Sequence, residues 1–556
     1  MKTNKFYIMK NKNAFLFGII ILIIGLLPKA LFSQDKITID ANAKGENFDH
    51  FWSVCVGAGR ANEGLRAEWL EHLELVKKEC GFKYVRFHGL FHDDMFPVFE
   101  NRGKIVYNWQ YIDDLFDRML ELNVRPFVEL SFFPKSIAAE NSKTVFAWEA
   151  KITPDEESFE KWHDLVKAFT QHCVDRYGID EVLNWYFEVW NEPNLYGLFW
   201  DGTKSQYFEL YKQSALAVKS VDSRLKVGGP ATSNFVPDSR FDGEIEDPKA
   251  SEKTFSVDDI NTLDWHGVWI EDFLKYCEKE NLPVDFISCH PYPTDYALDP
   301  TTGKGRGLTR FVHSTKLDLE WLRKTVSKSA FPNAEIHLTE WNTSPNSRDA
   351  MHDFLPPAAY IVKTNLDCIG LVNSLAYWTF TDVFEEKGGG ASVFHGGFGM
   401  INFQGIVKPS HHAYRMLNQL GDEKLYKGEY FFVSRNSGNG KISALAYNYP
   451  KEYEQAVPSG NKQLETGTPK PLNFTINGLM PGKQFKIEIL DKDHGNIYKF
   501  WESLGRPNPP TREQEALMKS YAASLKTEII TVDKDGKLEI DKILSPWSVV
   551  LIQQIN

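Results

Sequence analysis

Between residue 50 and about 420 the chain alternates two hydrophobic patterns. Short runs dense in β-branched and aromatic residues are followed by longer stretches whose apolar positions recur every three or four residues. The stretch from Trp109 to Leu122 is typical: Trp109, Ile112, Leu115, Phe116, Met119 and Leu122 make one apolar stripe on a helix. Eight candidate strands can be marked: Phe51 to Gly57, Lys83 to Leu90, Arg125 to Phe133, Leu183 to Asn191, Lys226 to Ala231, Val284 to His290, Glu335 to Trp341, and Ser374 to Thr381. Helical patterns separate them, and an eighth, Ser410 to Leu420, follows the last strand. Parallel strands need helical crossovers, and eight strand-helix units can close a ring, so the pattern predicts an α/β fold, a (β/α)8 TIM barrel. The alternative is an open doubly wound sheet, which usually carries a phosphate-binding glycine turn after its first strand. Gly57-Ala58-Gly59-Arg60 lacks the third spaced glycine of that turn. The glycine-rich run from Gly388 to Gly399 has no Gly-Lys-Ser/Thr and follows the last strand, so it is predicted to be a loop.

After about residue 422 the pattern changes to alternating strands broken by Pro, Gly and Asn, the signature of an accessory antiparallel β-sandwich. A helical insertion near 501–525 interrupts it. Residues 34–47 are expected to add an N-terminal strand to this sandwich, giving a division into 34–47, a barrel over 48–421 and a sandwich over 422–556. Ahead of these, Lys2, Lys5, Lys10 and Lys12 precede an apolar run of 14 residues from Ala14 to Leu27. That is short of the roughly 20 residues that cross a bilayer. Residues 1–33 therefore read as a signal peptide, with export to the periplasm or medium and no stable membrane anchor expected; an uncleaved anchor is the alternative.

Composition narrows the functions. A chain with 42 % hydrophobic and 25 % charged residues is globular. Lys and Arg number 63 against 75 Asp and Glu, a net charge of −12, and loss of the leader would leave 58 basic residues, a charge of −17. No basic surplus exists to hold a phosphate backbone, so nucleic acid is not an expected partner. Six cysteines are spread without a Cys-x-x-Cys pair, which gives no zinc spacing. Export permits disulfides, but several cysteines lie inside apolar patterns, where buried free thiols are the expectation.

Active sites in such barrels are assembled at the carboxyl ends of the strands. The fourth candidate strand ends in Glu188-Val189-Trp190-Asn191-Glu192-Pro193 and the seventh in Thr339-Glu340-Trp341-Asn342. These strands lie nearly across the ring from each other. Two carboxylates facing each other over a barrel mouth are the apparatus of glycoside hydrolysis: one protonates the departing oxygen, the other acts at the anomeric carbon. Either glutamate alone could be a solvated or salt-bridged surface group. Successive side chains on a strand point to opposite faces, so Asn191 and Glu192 can both reach a pocket only if the strand end kinks or bulges. Glu188 is expected in a buried hydrogen-bond network, and His92 with Asp93 and Asp94 in a structural hydrogen-bond cluster rather than a metal site.

The runs WNEPN at 190–194 and TEWN at 339–342 resemble the retaining glycosidases of the large (β/α)8 clan. With RFHGLFHDDM at 86–95, CHPYP at 289–293, YWTFTDVFEE at 377–386 and FHGGFGMI at 394–401, the chain more narrowly resembles glycoside hydrolase family 39, the β-xylosidases and α-L-iduronidases, over most of its length. The resemblance implies Glu192 as acid/base and Glu340 as nucleophile. Asn191 would bond the sugar 2-hydroxyl, and His290 and Tyr292 would orient Glu340 and the sugar. His88 would bond hydroxyls, Trp378 would form an apolar platform, and Glu385 and Glu386 would grip outer hydroxyls. His290 and Tyr292 could instead pack a turn, and Trp378 the barrel core. The iduronidase branch carries a basic residue where Tyr292 stands, so a neutral sugar is expected, β-D-xylose first, released from the non-reducing end of oligo- or polysaccharides without metal or cofactor. An arabinopyranoside, galactoside or uronide specificity, or a non-catalytic carbohydrate-binding protein, are the alternatives; a binder would usually lack one of Glu192, Glu340 and Asn191. A homo-oligomer is left open.

Overall fold

In the computed structural model, residues 37–237, 239–245, 263–294 and 309–555 are described. The leader and most of the segments from Pro237 to Asp264 and Thr294 to Leu308 lie outside them. Eight parallel strands close into a ring in sequence order. They are β1 (Cys55–Arg60), β2 (Tyr84–His88), β3 (Arg125–Leu130), β4 (Tyr186–Val189), β5 (Lys226–Ser233), β6 (Phe286–His290), β7 (Glu335–Trp341) and β8 (Ser374–Tyr377). Around them run α1 (Ala67–Cys80), α2 (Gln110–Glu121), α3 (Phe159–Tyr177), α4 (Lys204–Val221), α5 (Ile270–Lys279), α6 (Ser314–Lys328), α7 (Pro356–Asp367) and α8 (Pro409–Leu417). The stripe Ile112, Leu115, Phe116 and Met119 is the buried face of α2. Helix α4 starts at a capping box in which Thr203 and Gln206 satisfy each other's backbone amides.

Where the elements depart from expectation, the backbone gives the reason. Phe51–Ser53 is a 3-10 turn, so β1 begins only at Cys55. Helix α5 starts only at Ile270 because Trp269, at φ 63°, is left-handed and cannot lie inside a helix. Strands β4 and β8 stop at Val189 and Tyr377, short of the expected Asn191 and Thr381.

Period-2 alternation sorts the barrel interior into layers. At the lower level the Phe127 and Tyr186 rings stack at 4.8 Å, with Phe286 edge-on to each at 5.5 Å. One inward position higher the same strands present Glu129 and Glu188, paired in register, and β2 presents Arg86. An aromatic plug thus gives way to a charged layer beneath the mouth. Trp378, just beyond β8, fits against β1 because residue 57 is glycine: a Cβ there would come within 2.3 Å of the indole.

A seven-stranded sheet runs Glu46–Asn47, Glu423–Lys427, Phe431–Arg435, Ile442–Tyr447, Val549–Gln554, Gln484–Leu490, Lys526–Thr531, with all neighbours antiparallel. Facing it is a three-stranded sheet in which Lys470–Asn477 lies between Ile37–Asp40 and Leu538–Leu544. Ile37–Asp40 pairs in parallel. Phe431 and Phe474 stack at 4.8 Å between the sheets. Helix α7 packs against both this sandwich and the barrel, which explains why 11 of its 12 residues are buried. Two helices, Ile497–Ser503 and Arg512–Ala523, form the insertion; Trp501 packs on Phe394 at 5.5 Å and the Asn508 amide donates to the Ala391 carbonyl.

The glycine-rich loop that they touch is fixed from below. The buried Lys408 ammonium lies 2.6 Å from Asp353, 2.7 Å from Asp382 and 2.9 Å from the Gly397 carbonyl. The same two carboxylates accept the Gly396 and Gly399 amides at 2.6 and 2.7 Å. No helix among the described residues is long and apolar enough to cross a membrane.

All six cysteines are buried and unpaired, and burial raises the pKa of every one. Reductant is therefore expected to leave the melting temperature unchanged, and a thiol reagent to count six groups only after denaturation; fewer would reveal a disulfide. Phe474→Ala, which removes half of the inter-sheet stack, is expected to cost about 3–5 kcal/mol in denaturant unfolding.

Candidate active site

The charged layer opens into a cavity of about 320 Å³ at the carboxyl ends of the strands. Strand β4 ends at Val189, and the next residues turn sharply: Trp190 lies at φ 71° and Glu192 at φ 46°, both left-handed. The Trp190 ring is packed against Phe133 at 4.4 Å and Trp200 at 5.1 Å, which holds the turn. This is the kink that alternation demanded, and it lets Asn191 and Glu192 both line the cavity.

Arg86 is the centre of the site. Fully buried, its guanidinium reaches Glu188 through Nε at 2.7 Å, Glu340 through Nη1 at 2.5 Å, and both Asn191 Oδ1 at 2.9 Å and Glu129 at 2.7 Å through Nη2. The other Glu340 oxygen accepts the Tyr292 hydroxyl at 3.1 Å. Glu340 on β7 is therefore held at both oxygens by protein donors.

Glu192 has the opposite surroundings. Burial, which disfavours charge, pushes its pKa up to about 7 against the lowering hydrogen bond from Ser233. Its Oε1 lies 3.0 Å from His290 Nδ1. Donor logic assigns the proton. Thr339 donates to Glu188 at 2.7 Å, so its oxygen accepts from His290 Nε2 at 3.0 Å. Burial lowers the His290 pKa to about 4, so the ring is neutral and its Nδ1 offers a lone pair to a protonated Glu192.

Glu192, His290 and Glu340 each bring one ligand atom within 4.8 Å of the others, the one grouping among the described residues that could hold a metal. The arginine already on Glu340 is a cation that would repel a metal ion there, and the arrangement instead suits two carboxyl groups of different proton occupancy.

His88 Nδ1 lies 2.8 Å from Glu129, and its Nε2 faces the cavity, 3.6 Å from Glu340 and 3.7 Å from Glu386. Burial brings its pKa down to about 3, so it is neutral. Trp378 lines the cavity with its ring 4.8 Å from that of His88. Glu386 lines it too, its pKa raised first by burial and then by Glu340. Glu385 is not brought to the cavity. Its carboxylate is clamped by Arg60 at 2.8 Å and Arg66 at 2.5 Å, and the two guanidiniums keep its pKa below the usual range despite partial burial. Glu385 thus anchors the loop that delivers Glu386, and of the two only Glu386 reaches the cavity where a hydroxyl could be met. His92 bonds Asp94 at 2.8 Å and meets Trp148 edge-on at 4.9 Å, while Asp93 accepts the Lys135 amide.

Several site residues were not singled out from sequence: Arg86, Glu129, Thr339, Ser233, Phe146, Lys387 and the apolar turn after Glu192. For the first two a signal existed, since a charge between apolar neighbours, Val85-Arg86-Phe87 and Val128-Glu129-Leu130, marks a barrel interior that is not apolar throughout.

With this geometry in place, comparison with known proteins is decisive. The model of the family Glycosyl hydrolases family 39 matches residues 35–539. The chain is 35 % identical over 522 residues to a β-xylosidase of Caldicellulosiruptor saccharolyticus, covering 93 % of this chain and 98 % of that one. Among solved structures, a family 39 enzyme of Xanthomonas axonopodis pv. citri superposes with a TM-score of 0.80 at 30 % identity, over 93 % of this chain and 96 % of that one. A monomeric β-xylosidase of Caulobacter crescentus CB15 superposes with a TM-score of 0.78 at 30 % identity, over 93 % and 99 %. The chain belongs to glycosyl hydrolase family 39, and it is a β-xylosidase-like O-glycosyl hydrolase.

Proposed function

We propose that the protein is a retaining β-xylosidase that releases β-D-xylose from the non-reducing end of oligo- or polysaccharides through a covalent glycosyl-enzyme. The observation that carries this reading is the pairing of Glu192 and Glu340, whose nearest carboxyl oxygens lie within 4.8 Å in opposite electrostatic settings. Retaining enzymes keep their carboxyl groups about 5–5.5 Å apart, against about 6.5–9.5 Å where a water must fit between them.

Glu340, ionised beside Arg86, attacks the anomeric carbon as the glycosidic C–O bond breaks. The Glu192 proton passes to the departing oxygen. A water then attacks the glycosyl ester, gives its proton to Glu192 and frees the Glu340 carboxylate. Arg86 occupies the Asn191 carbonyl oxygen, which leaves the Asn191 amide free to donate to the sugar 2-hydroxyl. His88 and Glu386 face the remaining hydroxyls over the Trp378 platform.

Two features favour a neutral sugar. Every nitrogen of Arg86 already has a protein acceptor, and the lysine lining the cavity, Lys387, stands at its exposed edge. A uronate carboxylate deeper in would meet Glu386 and no free cation among the described lining residues. The cavity volume lies near the lower end for small-molecule sites, which suits one sugar plus part of its leaving group. Export remains part of the proposal and rests on the lysines and the 14-residue apolar run ahead of residue 34.

Glu340→Ala is expected to lower turnover of an aryl β-xyloside by about 10⁴-fold or more. Glu192→Ala should slow xylobiose by about 10²–10⁴-fold while sparing a dinitrophenyl xyloside in its first step; equal slowing of both would overturn the acid assignment. Proton NMR of the first-formed sugar should show the β-anomer. The acid must be protonated to act, so kcat/KM on a poor leaving group should hold below the Glu192 pKa of about 7 and fall as pH rises through it. That alkaline limb should vanish when Glu192→Ala is assayed with the dinitrophenyl substrate.

A further inference from the structure

The two ends of the cavity differ in chemistry. Around the carboxylates the walls are polar, but the turn that follows Glu192 is not. It closes back on that residue: the Leu195 amide donates to the Glu192 carbonyl at 3.0 Å, and the Leu198 and Phe199 amides both donate to the Leu195 carbonyl at 3.1 Å. Leu195, Leu198 and Phe199 are thereby set in the cavity wall, where Val145 and Phe146 join them from a short hairpin. The Phe146 and Phe199 rings meet at 5.4 Å. Leu198 is 49 % exposed, a large apolar side chain left in water beside a binding cavity.

These side chains hang from the residue proposed to protonate the departing oxygen, so they stand where the leaving group must lie. A second sugar there would bring hydroxyls that need partners and ring faces that need flat aromatic platforms. Among the described lining residues leucine and valine provide neither, and the two phenylalanine rings are turned to protein partners, Phe199 to Phe146 at 5.4 Å and Phe146 also to His88 at 5.6 Å and Trp148 at 5.1 Å. Elsewhere on the wall Pro345 and Phe398 add apolar surface, with the Ser347 hydroxyl as a single buried polar atom that has no partner among the described residues. We infer that the leaving-group subsite is built for an apolar aglycone, an alkyl or aryl alcohol, in preference to a second sugar. This rests on Glu192 being the acid, and it makes oligosaccharides the slower substrates.

The test compares methyl and hexyl β-D-xyloside with xylobiose. Methanol and hexanol leave with similar ease, so a difference between the alkyl pair reads binding in the transition state rather than intrinsic reactivity. The hexyl glycoside should exceed the methyl glycoside in kcat/KM by about tenfold or more, and should also exceed xylobiose. Leu195→Ser with Leu198→Ser should bring the hexyl-to-methyl ratio close to one, as should Leu198→Asn in part, a change at an exposed position that the fold tolerates. Equal rates on the alkyl pair, faster xylobiose, or a ratio unmoved by the variants would overturn the inference. If an aryl-glycoside panel shows a different sugar to be accepted, the same alkyl pair on that sugar gives the reading. The xyloside assignment and the aglycone assignment therefore fail separately.

Discussion

One buried cation organises this molecule. Arg86 rises from the second barrel strand into a space bordered by Glu129, Glu188 and Glu340, and its fork of donors is shared among them and Asn191. Removing charges from water is costly unless each finds a partner, so the guanidinium and its acceptors hold one another in place. Positive charge is scarce there: both neighbouring histidines are neutral, and burial lifts Glu129 to about 7 as well as Glu192. The carboxyl groups cannot all ionise. Glu340 is gripped by Arg86 and Tyr292, whereas Glu192 is placed against a neutral imidazole. The different settings of two chemically identical side chains follow from where a single arginine sits, and the roles proposed for them rest on that difference.

Much of this could be read in the chain. The eightfold alternation gave the ring because helical and strand periods differ strongly over long stretches, and Glu335–Trp341 matches its expected bounds. The glutamates at 192 and 340 were legible because strand ends are where such barrels place chemistry. What escaped were contacts between residues distant in sequence. Nothing local to Glu385 reveals that Arg60 and Arg66 will take it away from the cavity, since those partners lie more than 300 residues earlier. Arg86 sat inside a quoted motif yet shows its role only when four strands are brought together. Within the sandwich, the strands Leu538–Leu544 and Lys526–Thr531 are hard to mark from sequence because their charged outer faces dilute the apolar signal.

The hydrogen-bond chain from Arg86 through Glu188 and Thr339 to His290 and Glu192 also gives a use to Glu188, a residue too deep to touch sugar. Each link leaves the next group one orientation, so a proton at the cavity surface is governed from the barrel interior. Such networks work only when every member is satisfied, which accounts for polar groups being tolerated where a barrel of this size would ordinarily pack aliphatic side chains.

The insertion helices lean on the loop that carries Glu386 and Phe398, and helix α7 is wrapped on every side by barrel and sheets. The chain is consequently not a catalytic module with a detachable appendage. Cutting it after the eighth helix would bare the outer flank of α7 to water and withdraw a buttress from the rim of the reaction chamber. Size reduction, whether by protein engineers or by genome streamlining, would have to rebuild that rim before it could discard the sheets.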